Sequence, residues 1–156
     1  MLSRTAENLY WISRYMERAE MTARLLDVGY RMSLFPNPVG HHNEWDSVLS
    51  AAGSINGYRE KYDKIEQKKV QDYLLFDEDN PSSVYNCISN ARNNALVVRT
   101  AFTSDAWIAI NKTYQELMRL KTDDYTQADV PNFTEWTIQQ VNMVRGAINS
   151  LLRNDG

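Results

Sequence analysis

The sequence predicts an all-α protein, an antiparallel bundle of about five or six helices with one long helix at the N-terminus. Three observations carry that expectation. No segment alternates apolar and polar residues, with β-branched side chains, over the length of a strand. Apolar residues recur instead at spacings of three and four along most of the chain. Between those runs lie short polar connections, several of them marked by proline or glycine.

The opening stretch has a seven-residue rhythm. Leu2, Leu9, Met16, Ala23 and Tyr30 are seven apart, and Thr5, Ile12, Ala19 and Leu26 sit three after the first four. This is one stripe on a helix expected from about Thr5 to about Ser33, with Leu9, Ile12, Met16, Ala19, Ala23 and Leu26 facing inward. Ser3 or Thr5 is the expected cap, and Glu7 stands near the positive end of the helix dipole. Pro36 and Pro38 stop the helix, and "LFPNPVGHH" reads as a loop. A helix of about 30 residues is about 45 Å long, so it serves as a spine on which others pack.

"NEWDSVLSAAG" and "INGYREKYDKIEQKKVQDYLLF" read as the next helices, with Gly53 and Gly57 as interruptions. In "DEDNPSS", Asn80 is the candidate cap and Pro81 the first helical residue. Val84, Ile88, Ala91, Ala95, Val98 and Phe102 then alternate spacings of four and three. Thr103 or Ser104 caps a further helix lined by Trp107, Ile110, Tyr114 and Leu117. "TDDYTQADVPN" is a polar connection. The last helix carries Phe133, Thr137, Val141, Val144, Ile148 and Leu151, and ends at "RNDG".

The 156 residues fit one domain and are long enough to bury a core without staples. A net charge of −3 argues against a nucleic-acid binder held by a basic surface. No apolar run approaches the roughly 18 residues of a membrane helix, and the N-terminus has no basic segment followed by an apolar one. The chain therefore reads as a protein without membrane or nucleic-acid partners. Cys87 is the single cysteine, which suits a reducing cytoplasm. It falls near the apolar stripe of its helix and reads as a small buried hydrophobe. The two histidines, His41 and His42, stand together in a loop, and neither follows a glutamate by three. No metal site and no cofactor are expected from these ligands.

The long helix carries the residues that stand out chemically. Glu20 with Arg24, and Asp27 with Arg31, are pairs four apart with the acid first, the more favourable order. Tyr10, Arg14, Glu17 and Arg24 lie roughly along one face. Every basic residue of this stretch is arginine, which suits planar contacts to carboxylate or phosphate. A solvated face held by weak ion pairs is the plainer reading. Trp11, Trp45, Trp107 and Trp136 read as packing anchors. The amides of "NCISNARNNALVVR" form either a hydrogen-bonding face or a wet one.

"MLSRTAENLYWISRYMERAEMTARLLDV" closely resembles the start of the alpha-E family, helical bacterial proteins named for a Glu-Arg motif. Glu17–Arg18 is that motif here. "DNPSSVYNCISNARNNALVVR" at 79–99 resembles the family's second signature, and "SDAWIAIN" at 104–111 the segment that follows it. The resemblance spans nearly the whole chain. It implies a single alpha-E-like domain over 1–156, corresponding to the N-terminal half of a longer architecture in which a second Arg-x-x-Glu-Arg helix follows. In the second signature Asn93 stands where an acidic residue is common.

The family's setting implies a system of circularly permuted ATP-grasp ligases and transglutaminase-like proteins that makes or modifies a peptide-like molecule. On that resemblance the chain is expected to be a cytoplasmic accessory domain of such a system. The face formed by Tyr10, Arg14, Glu17, Arg18, Glu20 and Arg24 would hold a partner protein or a carboxylate-bearing peptide, with Arg92 and Arg99 contributing. Two other readings stay open. One is an enzyme using Glu17 or Glu20 as general base beside an arginine-bound substrate; the other is a structural helical oligomer. Glu17 and Arg18 are expected in a network with other helices rather than pointing freely into water. A homodimer through helix 1 or the last helix is expected as well.

Overall fold

A computed structural model describes residues 2–154. Among them the chain forms seven α-helices: α1 (Ser3–Ser33), α2 (His42–Ala51), α3 (Ile55–Lys61), α4 (Gln67–Phe76), α5 (Val84–Val97), α6 (Ser104–Thr122) and α7 (Asp129–Asn154). No strand is found among these residues. The all-α bundle expected from periodicity is what forms.

The four longest helices make an up-down-up-down bundle. Around it the neighbours are α1 with α5, α5 with α6, α6 with α7, and α7 with α1. Direction follows from the bonds between helices. The Thr22 hydroxyl donates to the Ser82 carbonyl, just ahead of α5, while Leu9 and Ile12 share a core cluster with Ala95 and Val98 at its far end. On the other side Thr134, near the start of α7, donates to the Ala23 carbonyl at 2.9 Å. The inner stripe of α1 behaves as its spacing requires, since Leu9, Ile12, Met16, Ala19, Ala23 and Leu26 are all buried. Burying that stripe along the helix, at about 1.5–3 kcal/mol per large side chain, fixes α1 between α5 and α7.

The three short helices close one end of the bundle, where the chain crosses from α1 to α5. They bury Trp45, Leu49, Tyr58, Val70 and Leu74 in a cluster that also takes in Leu26, Val84 and Leu117. Here the expectation of about five or six helices falls short, because the run from Ile55 to Phe76 is two helices. Tyr62 and Glu66 are extended, and the Tyr58 hydroxyl satisfies the break between them. It donates to the Lys64 carbonyl at 2.7 Å and accepts from the Glu66 N–H at 3.3 Å.

Two expected caps are also replaced. Neither Ser3 nor Thr5 caps α1; Leu2 is its extended N-cap residue, and its side chain has no group to make a capping hydrogen bond. Ser83 rather than Asn80 caps α5, accepting from the Asn86 N–H at 3.1 Å. Asn80 is buried one turn earlier. Its Oδ1 accepts from the Ser82 N–H at 3.0 Å, and its amide donates to the Tyr73 carbonyl at 3.2 Å. Thr103 caps α6 as expected. The connection before α7 is shorter than expected, because α7 begins at Asp129, and Tyr125 within it is buried. The expected stop at "RNDG" includes Asp155 and Gly156, which lie outside the described residues.

Candidate functional site

The residues singled out by their chemistry lie mostly on the side of α1 that faces away from the bundle. Tyr10, Arg14, Arg18 and Arg24 are exposed there. Glu17 stands between two arginines. One carboxylate oxygen is 3.5 Å from Arg14 Nη1 on the same helix, and the other is 3.9 Å from Arg145 Nε on α7. Its side chain is 42% exposed, so these are solvent-screened ion pairs. Glu17 thus reaches another helix, but at the surface. Arg18 is exposed, and its positive charge acts on the buried Cys87 thiol.

Glu20 is more covered. Its Oε2 accepts from Arg24 Nε at 3.3 Å, and its Oε1 is buried with no hydrogen-bond partner. Asp27 repeats the pattern one heptad later, bonded to Arg31 Nε at 3.0 Å with Oδ1 left without a partner. Both ion pairs are the four-apart pairs the sequence implies.

The structure does not bring Arg92 to this face. Its Nε donates to Asn111 Oδ1 on α6 at 2.8 Å, and its guanidinium lies 4.5 Å from the Tyr114 ring centre. Arg92 ties α5 to α6. Arg99 follows the end of α5 and is exposed, at the end of the bundle where α1 begins. The amides of α5 are divided as well. Asn86 donates to the Glu78 and Asn80 carbonyls, each at 2.8 Å, and so fastens the 77–83 loop, whereas Asn93 is exposed.

Trp11 corrects the expectation that all four tryptophans are packing anchors: it is 43% exposed, whereas Trp45 is buried. It packs edge-on to Tyr10, ring centres 5.3 Å apart, and at 6.0 Å from Tyr15. Trp11, Arg14, Tyr15, Glu17, Arg18 and Met21 surround a shallow depression of about 280 Å³ made by α1 alone. Enclosed ligand pockets run about 300–1,000 Å³ and bury most of their ligand. The shape here is that of a contact surface.

A second stripe runs along the same helix, masked in the sequence by the stronger inner heptad. Trp11, Arg18, Leu25 and Met32 are seven apart, and Arg14, Met21 and Val28 sit three after the first three; Phe35 continues the spacing past the end of α1. Apart from Leu25, which is partly buried, all of them are exposed. The signal was present as a second heptad, roughly 160° around the helix from the first.

A separate cleft of about 440 Å³ lies where α3, α4 and the α6–α7 connection meet, and its charges largely pair with one another. Lys68 is 3.3 Å from Asp72 and 3.5 Å from Asp124, and sits over the Tyr125 ring. The Tyr125 hydroxyl donates to Asp72 at 2.8 Å; burial first, and then that bond, push its ionisation up. Among the described residues no three His, Cys, Asp or Glu side chains gather as metal ligands would. No helix there is long and apolar enough to cross a membrane.

Over residues 1–156 the chain matches the family Alpha-E, described as a predicted alpha-helical domain with a conserved ER motif. The chain belongs to the Alpha-E family. The Glu17–Arg18 pair of its exposed face is the Glu-Arg that the resemblance assigned. Relatives include the uncharacterized proteins Rv2567 and MT2643 of Mycobacterium tuberculosis and Mb2597 of Mycobacterium bovis. Each is 29% identical over 124 residues, a match that covers 69% of this Alpha-E chain and 14% of the relative. No solved structure matches the chain.

Proposed function

We propose that this Alpha-E chain is a docking module, an accessory domain that holds a protein partner of a peptide-ligating or peptide-modifying system. The observation that carries the reading is the exposed face of α1. It combines aromatic anchors (Tyr10, Trp11), arginines (Arg14, Arg18) and apolar side chains (Met21, Val28, Met32) on one continuous surface. Interfaces are enriched in aromatic residues, methionine and arginine. An apolar patch of that extent on a folded domain marks a contact site. The partner class, an ATP-grasp ligase or a transglutaminase-like protein in the bacterial cytoplasm, comes from the family resemblance.

The enzymatic reading has less support in the geometry. A general base works beside a substrate held in a dry pocket. Glu17 stands in solvent between two arginines, and Glu20 is covered and bonded to Arg24.

Co-expression with the ATP-grasp and transglutaminase-like proteins of the same organism tests the proposal. The wild-type chain copurifies with one of them, Trp11→Ala and Arg18→Glu lose the partner, and Lys112→Glu on the exposed side of α6 keeps it. Copurification unaffected by the two α1 substitutions, or none with either protein, overturns the reading.

A further inference from the structure

The outer stripe of α1 is a helix-pairing surface, and we infer that its occupant is a second copy of the same helix, running antiparallel across a two-fold axis. The inference goes beyond the docking reading and shares its exposed face, so that a partner protein docks there only by displacing the second copy. A helix that is apolar on two opposite sides packs on both, and the inner side of α1 is already filled by α5 and α7. The outer side runs from Trp11 to Met32 with the alternating three and four spacing of a helix seam.

The distribution of charge selects the partner and its direction. Both arginines of the stripe, Arg14 and Arg18, lie in the N-terminal half, and the stripe positions of the C-terminal half, Met21, Leu25, Val28 and Met32, are all apolar. A parallel pair would stack Arg14 on Arg14 and Arg18 on Arg18, like charges in a seam. An antiparallel pair with Arg18 opposite Met21 of the second copy avoids that. It sets Trp11 against Val28, and lays the Arg14 stem along Leu25.

The same register brings Glu17 within a turn of Arg24 of the second copy. The two-fold repeats that ion pair on the other side, as an isologous interface requires. The axis passes between Ala19 and Glu20, close to the middle of the Ser3–Ser33 helix, so nearly its whole length overlaps. A specific contact buries on the order of 1,000 Å² or more in total, and pairing along nearly the whole helix is what the second copy offers toward it.

Light scattering at tens of micromolar, with cysteine cross-linking, tests the arrangement. The wild-type chain has twice the monomer mass, and Met21→Glu combined with Val28→Glu returns it to monomer with its helical circular dichroism unchanged. Oxidising a mixture of Trp11→Cys and Val28→Cys chains cross-links the unlike pair at least tenfold more than either chain with itself. In the stated register two Trp11→Cys thiols lie roughly 26 Å apart along the axis. Cross-linking of like with like overturns the antiparallel register. A wild-type monomer that still copurifies with the ATP-grasp protein through Trp11 and Arg18 overturns the second copy as occupant while supporting the docking reading. A monomer that binds neither overturns both.

Discussion

Gly29 of α1 lies flat against the indole of Trp45 in α2, so close that a Cβ built on Gly29 would fall 2.5 Å from Trp45 Cζ3. Glycine inside a helix costs about 1 kcal/mol relative to alanine. Here the close approach explains it, because the buried tryptophan locks the end-closing helices onto the spine. Gly29→Ala is expected to destabilise the fold by about 1–2 kcal/mol, overpacking outweighing the propensity gain. A denaturant titration checks the sign; a stabilised variant would mean the indole moves aside freely.

Glu17→Ala is expected to cost less than about 1 kcal/mol. Had the motif charges formed a buried network, losing one partner would cost about 3–5 kcal/mol. The structure instead sets Glu17 at the surface, with its partners at 3.5 and 3.9 Å. Exposed pairs contribute about 0–1 kcal/mol. A large drop in the unfolding midpoint would show that the Arg145 contact matters more than its exposure implies.

Asn80→Ala is expected to be the costlier change, at about 1–3 kcal/mol. It removes the partners of the Ser82 N–H and the Tyr73 carbonyl, and loosens the loop that Asn86 also fastens. Asn80→Asp should rescue only part of the loss, since the carboxylate replaces the acceptor but cannot donate to Tyr73. Full rescue by aspartate would place the stabilisation in the acceptor alone.

Burial pushes the Cys87 thiol from 9.0 up to about 12, against a smaller pull from Arg18. The folded state therefore holds this proton more tightly than the unfolded one. The contribution to stability is whole below about pH 9 and is lost as pH rises toward 12. Burial also raises Tyr58, Tyr73 and Tyr125, so the alkaline limb of the stability curve falls through the same range. At pH 8 a thiol reagent should modify the native protein at least about a hundredfold more slowly than the unfolded chain. Equal rates would place Cys87 at the surface.

The helices and the inner stripe were legible because periodicity of burial is written locally. Val84 to Ala95, and Phe133 to Ile148, fell where their spacing put them, whereas α5 ends at Val97 and Val98 and Phe102 are buried from the turn that follows. What escaped depends on partners distant in sequence. The break between α3 and α4 rests on the Tyr58 hydroxyl, and the role of Asn80 rests on the Tyr73 carbonyl; neither is visible in helix propensity. Gly29 could not be explained before Trp45 was placed beside it. The candidate site was half legible. Arg14, Glu17 and Arg18 share a surface, Arg92 on α5 is instead bonded to Asn111 of α6, and Trp11 with Met21 and Val28 was hidden by the stronger inner heptad on the same helix.

That the outer face of α1 is a contact surface is tested most directly by methionine oxidation footprinting. Met21 and Met32 on that face are 44% and 43% exposed, and Met143 on α7 is 50% exposed, so the three begin on equal terms. As the chain is concentrated from below one to tens of micromolar, or when the ATP-grasp protein is added to the dilute chain, oxidation of Met21 and Met32 is expected to slow several-fold while Met143 stays reactive. Unchanged rates at all three, or protection of Met143 alone, would contradict the account.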